Sequence, residues 1–292
     1  MDVHNICFIL KRNKEKEGPR SLRYILEPGQ PVKIIFDPWN IVLDCPRSVY
    51  TGSEKQEIRV WGRRRLLLLE RLIPVTRKFT VVLVGNGLPS FYIADLGDMS
   101  FTLGLSGWTA NDWSSLGNFD LLAPRTQVDS FTMQKIYVAL KEKWVEDASA
   151  LAHRLNMDKA TVVGALSAFT QAGRVIYDLE KKMFRIRELS RDAISVDSLR
   201  FANDREESAT RFVDMNKVSL RTEETPEKYL KLSGAVVDKS QTYQPTLLLD
   251  RDNKIVKAQC SCNFFQQNKL MKGPCEHMLA LRIMHRELLA KV

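Results

Sequence analysis

Residues 258–288 read AQCSCNFFQQNKLMKGPCEHMLALRIMHREL, and this one stretch holds three of the chain's five cysteines and two of its four histidines. The pattern is Cys260-x-Cys262, twelve intervening residues, then Cys275-x-His277. Two residues at i and i+2 on a strand face the same way, so the first pair can close on one ion at the end of a hairpin. Just upstream, YQPTLLLDRDNKIVKAQCSC supplies that hairpin: two apolar runs flank DRDN, where Asp and Asn accept tight turn conformations. Downstream, Met278, Leu281, Met284 and Leu288 recur at helical spacing, which places Cys275 and His277 in or just before a first helical turn. Exposed amides and the positive helix end favour the thiolate there, and Gly273-Pro274 gives the chain a sharp entry.

Cys260, Cys262, Cys275 and His277 thus form the donor set of a closed tetrahedral Zn2+ site, with no position left for water, which makes the role structural. Three thiolates and a dication leave one negative charge, and Lys269 and Lys272 in the intervening loop are placed in sequence to offset it. The segment has little core beyond Phe264, Phe265 and the helix stripe, so the ion is expected to drive its folding. Simple burial of the cysteines does not explain two Cys-x-(Cys/His) pairs bracketing one loop. An iron-sulfur cluster normally takes four cysteines, and a dithiol redox pair is usually Cys-x-x-Cys. His285, two turns along the helix from His277, reads as an ordinary histidine, as do His4 and His153; Cys7 and Cys45 read as structural.

On these residues the stretch from about Tyr243 to Leu289 resembles the SWIM zinc finger, a hairpin-loop-helix module of bacterial proteins, Mutator-like transposases and some chromatin-associated proteins. WGRRRLLLLERLIP, GLPSFY, LGLSGWTANDW and GRVIYDLEKKMFRIREL are similar to bacterial SWIM proteins. That resemblance implies a nucleic-acid or protein-binding role and, by association, partnership with ATPase and von Willebrand A type proteins.

Outward from the finger, the rhythm of the chain changes twice. Up to about residue 125, short alternating runs (VKIIF, NIVLD, FTVVLVGN, SFYIADLG, MSFTLGLSGW) separated by Gly, Pro, Asn and Asp predict a strand-rich domain. One helix is predicted to interrupt it, EIRVWGRRRLLLLERLIP, ended by Pro74, with Arg63, Arg64, Arg65 and Arg71 on a solvated face or paired to carboxylates. From 126 to 190, FTMQKIYVALKEKW, DASALAHRLN and DKATVVGALSAFTQAG predict three helices. Ile136, Val138, Leu140 and Trp144 stripe the first; Val162, Leu166 and Phe169 stripe the third; and Gly173 ends it. The runs RVIYDLE and KMFRIREL then form a hairpin about Lys181 and Lys182. Three helices and a hairpin resemble the winged helix-turn-helix. Residues 191–240 read as a charged connector with one or two short strands, VSL and SGAVVD, and 241–292 as a ββα zinc module. The fold class is therefore α+β and multi-domain.

The formal charge of +9 and pI near 9.3 favour an anionic partner, although acidic runs such as DREE and TEETPE interrupt the basic ones. The third helix of the winged unit offers Lys159 but no arginine before Arg174, little for a reader of base edges. Its hairpin is better equipped, with Lys181, Lys182, Arg185 and Arg187, and the finger adds Lys269, Lys272 and Arg282. Nucleic acid, DNA first, is therefore one expected partner; a protein is the other, with the module as an adaptor. An enzyme is the third class: VGNGLPS lacks the Gly-Lys-Ser/Thr ending of a phosphate loop, no nucleophile elbow or His-Glu-x-x-His occurs, and Asp95 and Asp98 read as turn formers. No run of about 18 uncharged apolar residues occurs, and the N-terminal apolar patch is too short for a secretory signal, so a cytoplasmic protein is expected.

Overall fold

The computed structural model describes residues 2–14, 18–110, 128–187 and 203–290. In chain order the first elements are α1 (Asp2–Arg12), β1 (Ser21–Leu26), β2 (Pro31–Phe36), β3 (Ile41–Val49), β4 (Gln56–Trp61), a 3-10 segment (Arg63–Val75), β5 (Lys78–Leu83), β6 (Ser90–Asp95) and β7 (Ser100–Leu105). Next come α2 (Ser130–Lys143), β8 (Val145–Glu146), α3 (Ala148–Leu155), α4 (Lys159–Gln171), β9 (Val175–Asp178) and β10 (Met183–Ile186). The chain ends with α5 (Asp204–Asp214), β11 (Val218–Glu224), β12 (Leu230–Asp238), β13 (Gln241–Tyr243), β14 (Thr246–Leu249), β15 (Ile255–Gln259), α6 (Asn263–Asn268) and α7 (Glu276–Ala290). Two compact units result: Met1–Phe119 with Ala209–Val292, and Asp120–Ser208. Mixed α and β structure is thus observed as expected. The boundaries expected near 125 and 190 lie outside the described residues. Among those residues no helix is long and apolar enough to cross a membrane.

In the first unit, β3-β2-β1-β4 form one antiparallel sheet and β5-β6-β7 another. The central strand β1 sets Leu22 opposite Phe36 on one side and Val60 on the other, and all three are buried. This layer joins Ile6 of α1, Leu66, Leu69, Tyr92 and Leu105 in one core, where each full burial of such a side chain contributes about 1.5–3 kcal/mol. The helix predicted over 57–74 is not formed. Ile58 and Val60 are buried while Glu57 and Arg59 are not, as on a strand paired with β1, and Gly62, at φ 85, turns the chain out of it. A 3-10 segment follows, and Arg63 is buried with its guanidinium 4.0 Å from the Trp39 ring centre rather than on a solvated face.

The same unit contains the C-terminal five-stranded sheet, β11-β12-β14-β15 with β13 on β12. Residues read as a connector therefore supply α5 and the two longest strands of this sheet. Phe212, Val213 and Val218 bury against Val236, Leu279 and Leu281, an apolar set split between α5, the sheet and α7, which the short runs VSL and SGAVVD do not reveal. The DRDN turn forms as predicted between β14 and β15. Its strand β15 also meets the N-terminal chain: Thr109 bridges Ile255 in parallel, the Ile255 amide donates to the Trp108 carbonyl at 2.8 Å, and the Ala110 amide to the Ile255 carbonyl at 3.2 Å.

In the second unit the three expected helices begin at aspartate caps. Asp129 accepts from the Thr132 amide at 2.9 Å, Asp147 from Ser149 and Ala150 at 2.9 and 3.0 Å, and Asp158 from Thr161 at 3.1 Å. Ile136, Leu140, Leu151, Val162 and Leu166 are fully buried between the helices, and β8-β10-β9 closes the unit as a small antiparallel sheet. Gly173, at φ 72, follows the end of α4 as predicted. Val138 and Trp144, expected on the buried stripe, are instead 46% and 50% exposed. Position 138 falls two residues from buried Ile136, on the opposite side of α2, and Trp144 already lies beyond the helix end.

Candidate metal centre and contact surfaces

Cys260 follows β15 directly, and Cys262 caps α6, receiving the Phe265 amide on its sulfur at 3.4 Å. Gly273, at φ 81, turns the chain into Cys275, and α7 begins one residue later, so His277 sits in its first turn. All four side chains are buried, and their ligand atoms lie within 4.8 Å of one another. Cys260 Sγ is 3.9 Å from His277 Nδ1. A tetrahedral zinc, at about 2.3 Å from sulfur and about 2.0 Å from nitrogen, needs ligand atoms roughly 3.5–3.8 Å apart, a contraction that side chains can supply. The donor chemistry fits as well: three sulfurs and an imidazole whose Nε2 is buried without a hydrogen-bond partner. Leu232, Leu247, Phe265, Leu270 and Met278 wall the cluster.

Proton sharing among the four side chains also suits a cation. A hydrogen bond from Cys275 holds Cys260 down at about 4, with a further one from His277, and the same Cys275 donor brings Cys262 to about 7. Cys275, which keeps the proton, is pushed up by those hydrogen bonds and by burial. Burial works against charge on His277, but hydrogen bonding to Cys260 and Cys262 outweighs it and raises that imidazole. A dication replaces these shared protons at once.

Residues 243–284 match the family model described as the SWIM zinc finger. The chain carries a SWIM zinc finger. No curated protein and no solved structure matches the chain. Zn2+ is the ion suited to the finger's four donors, and its part is to cross-link the end of β15 to the start of α7.

The SWIM finger extends structurally beyond its matched residues. Tyr243 stacks on the His277 ring at 4.1 Å and Phe212 of α5 lies parallel to it at 5.7 Å, fixing the plane of the one nitrogen ligand. No spacing signal in the sequence marks either aromatic. Lys269, in the loop between the ligand pairs, sets its ammonium 5.3 Å from the Phe265 ring centre and 3.2 Å from Gln266 Oε1; Lys272 is exposed. Arg282, expected as a contact residue, is buried. Its guanidinium lies 5.2 Å from the Trp108 ring centre and donates to the Asn253 carbonyl at 3.3 Å, because α7 presents this face to the N-terminal chain. Burial and the neighbouring Arg286 bring Arg282 down to about 10. The free thiols Cys7 and Cys45 are buried elsewhere.

The remaining predicted contact residues lie on the second unit and are exposed. Lys159 opens α4. Lys181 and Lys182 form the tip of the β9-β10 hairpin, with Lys182 at φ 55. Arg185 pairs in register with Ile176 and Val145, so these three share the outer face of the sheet; Arg187 follows two residues on, its amide bonded to the Arg174 carbonyl at 2.8 Å. Arg185 also reaches Asp178 at 3.6 Å. Along α4, only Lys159, Ala160 and Gln171 are exposed.

Proposed function

We propose that this is a non-catalytic, cytoplasmic binding protein whose second unit is a winged helix that engages nucleic acid, DNA in the first instance, and whose SWIM finger is a zinc-dependent structural module. The observation that carries the reading is the basic hairpin: Lys181 and Lys182 at its tip, Arg185 and Arg187 alternating on its outer face, all exposed. A face of that kind suits the phosphate backbone and agrees in sign with the chain's net charge of +9. Lys159, on the same unit, adds to that positive charge, and the SWIM finger carries exposed Lys269 and Lys272 of its own. The shifted thiols at the finger are its metal donors, which supports a structural role for that site over catalysis.

The salt dependence of binding tests this. Engaging about four phosphates gives a slope of log affinity against log salt of roughly −3 to −4, and charge reversal at Arg185 and Arg187 removes about half of it. An affinity insensitive to salt, or unchanged by Lys181→Glu with Lys182→Glu, sinks the reading. A protein-docking adaptor is the second reading. The observation favouring it is the short, nearly neutral exposed surface of α4, Lys159, Ala160 and Gln171, which offers little to base edges. A stoichiometric protein partner that survives nuclease treatment would select it.

A further inference from the structure

Two buried cations of the first unit converge on one crossing of the chain. Lys254, in the turn before β15, is 2% exposed, and Arg282, on α7, is 7% exposed. The Lys254 ammonium donates to the Gly107 carbonyl at 2.9 Å. The Arg282 guanidinium lies 5.2 Å from the ring centre of Trp108, the next residue, and its Nη2 donates at 3.3 Å to the carbonyl of Asn253, the residue before Lys254. The charge of Arg282 bears on Lys254, and that of Arg286, one exposed turn further along α7, bears on Arg282. The nearby acids are engaged elsewhere. One Asp250 oxygen accepts the amides of Asp252 and Lys254 at 2.9 and 2.8 Å, and Asp252 faces Arg59 at 3.7 Å. Among the described residues neither Lys254 nor Arg282 has a carboxylate within ion-pair distance, and Nη1 of Arg282 is buried without a hydrogen-bond partner.

Buried cations are costly unless an anion and hydrogen bonds compensate them, and neighbouring like charges add to that cost. The donors on hand describe what would do so. A guanidinium edge and an ammonium with protons to spare suit separate oxygens of a tetrahedral oxyanion. Burial sets the size, since a free ion can be enclosed here and a polymer backbone cannot. We propose that Lys254 and Arg282 bind a small inorganic oxyanion, of the phosphate or sulfate kind, where residues 107–108 cross 253–255, with exposed Arg286 attracting it. The ion then ties α7 and the finger's hairpin to the chain after β7.

The test follows the thermal midpoint of the zinc-loaded full chain at neutral pH and fixed ionic strength while phosphate, and separately sulfate, replaces chloride. A rise that saturates in the low millimolar range is expected, because an ion that binds only the folded chain stabilises it by mass action. Exclusion of salt from the protein surface instead raises the midpoint in proportion to concentration. Lys254→Met should lose the saturable rise. Arg282→Lys, which keeps the charge and loses the fork, should weaken half-saturation about 10-fold, and Arg286→Gln, at an exposed position, about 3-fold. Retained zinc confirms that each variant folds. Broadening of the phosphorus resonance of phosphate by the parent chain, absent with Lys254→Met, reads the same binding without heating. A rise that never saturates, a saturable rise kept unchanged in Lys254→Met and Arg282→Lys, or no broadening by the parent chain overturns the proposal. Each of these outcomes leaves the nucleic-acid reading standing, since that reading rests on the second unit.

Discussion

The ammonium of Lys254 is buried and donates to the Gly107 carbonyl at 2.9 Å, 147 residues earlier in the chain. Lys254 ends the DRDN turn, so this bond fastens the finger's hairpin to the segment after β7. Arg59 and Asp252 meet across the same seam at 3.7 Å, and Arg282 covers Trp108 beside it. Burial, then the nearby Arg282 charge, lowers Lys254 from its usual 10.5 to about 8. Between those values the unfolded chain binds more protons than the folded one, so stability should rise with pH from about 8 to 10.5 and the penalty should be fully present below 8. The rise is at most on the order of 3 kcal/mol. Denaturant midpoints of zinc-loaded protein across this range should show it, and Lys254→Met should abolish the difference. A slope unchanged in Lys254→Met would place its source elsewhere.

Tyr243 contributes to metal binding through its ring, since its hydroxyl is turned to Gln241 Oε1 at 2.6 Å. Tyr243→Leu should weaken zinc affinity about 10-fold by freeing the His277 ring plane, whereas Tyr243→Phe should leave it unchanged. Competition against a chromophoric chelator measures both. Equal losses in the two variants would assign the effect to the hydroxyl.

Gly234 sits on β12 opposite Leu220, where a Cβ would press on the Ser219 carbonyl and the Leu281 side chain of α7. Gly234→Ala should therefore cost about 1–3 kcal/mol by forcing β11 or α7 outward, read as a lower midpoint at constant m-value. An unchanged midpoint would mean that the sheet and α7 yield there without cost.

The metal centre was legible because its signal is local: two ligand pairs at fixed spacing, a turn of Asp and Asn, and a helix stripe all lie within fifty residues of one another. Helices α2, α3 and α4 were legible for the same reason, each having an aspartate cap and an apolar period. What escaped depends on distant partners. The run Ile58 to Trp61 alternates too briefly to outweigh the arginine and leucine run after it, and only pairing with β1 makes it a strand. Strands β11 and β12 carry Arg, Glu and Lys on their outer face, so their share of the core, Val218, Leu232 and Val236, is diluted in the sequence. Arg282 looks like a surface cation until Trp108 is brought against it. Helix α1 shows Val3, Ile6, Cys7 and Leu10 at helical spacing, a signal present but short.

Removing the metal should disturb more than the finger. Strand β15 runs from the Ile255 bridge with Thr109 to Cys260, so its C-terminal end is held by zinc and its N-terminal end by the chain after β7. Without the ion, three buried thiol groups must share protons, and β15 loses its anchor to α7; the bonds of Ile255 to Trp108 and Ala110 should then open more often. Chelation is expected to speed amide exchange over 255–259 and over 108–110, while Leu22, Phe36 and Val60 stay protected in their own core. Alkylation gives a second readout at neutral pH. Cys260 and Cys262, held down by hydrogen bonding, should label once zinc is gone, whereas Cys7 and Cys45, raised by burial to about 11 and about 12, should stay unreacted. Exchange confined to 260–277 after chelation would show that the hairpin holds to the N-terminal chain without help from the metal.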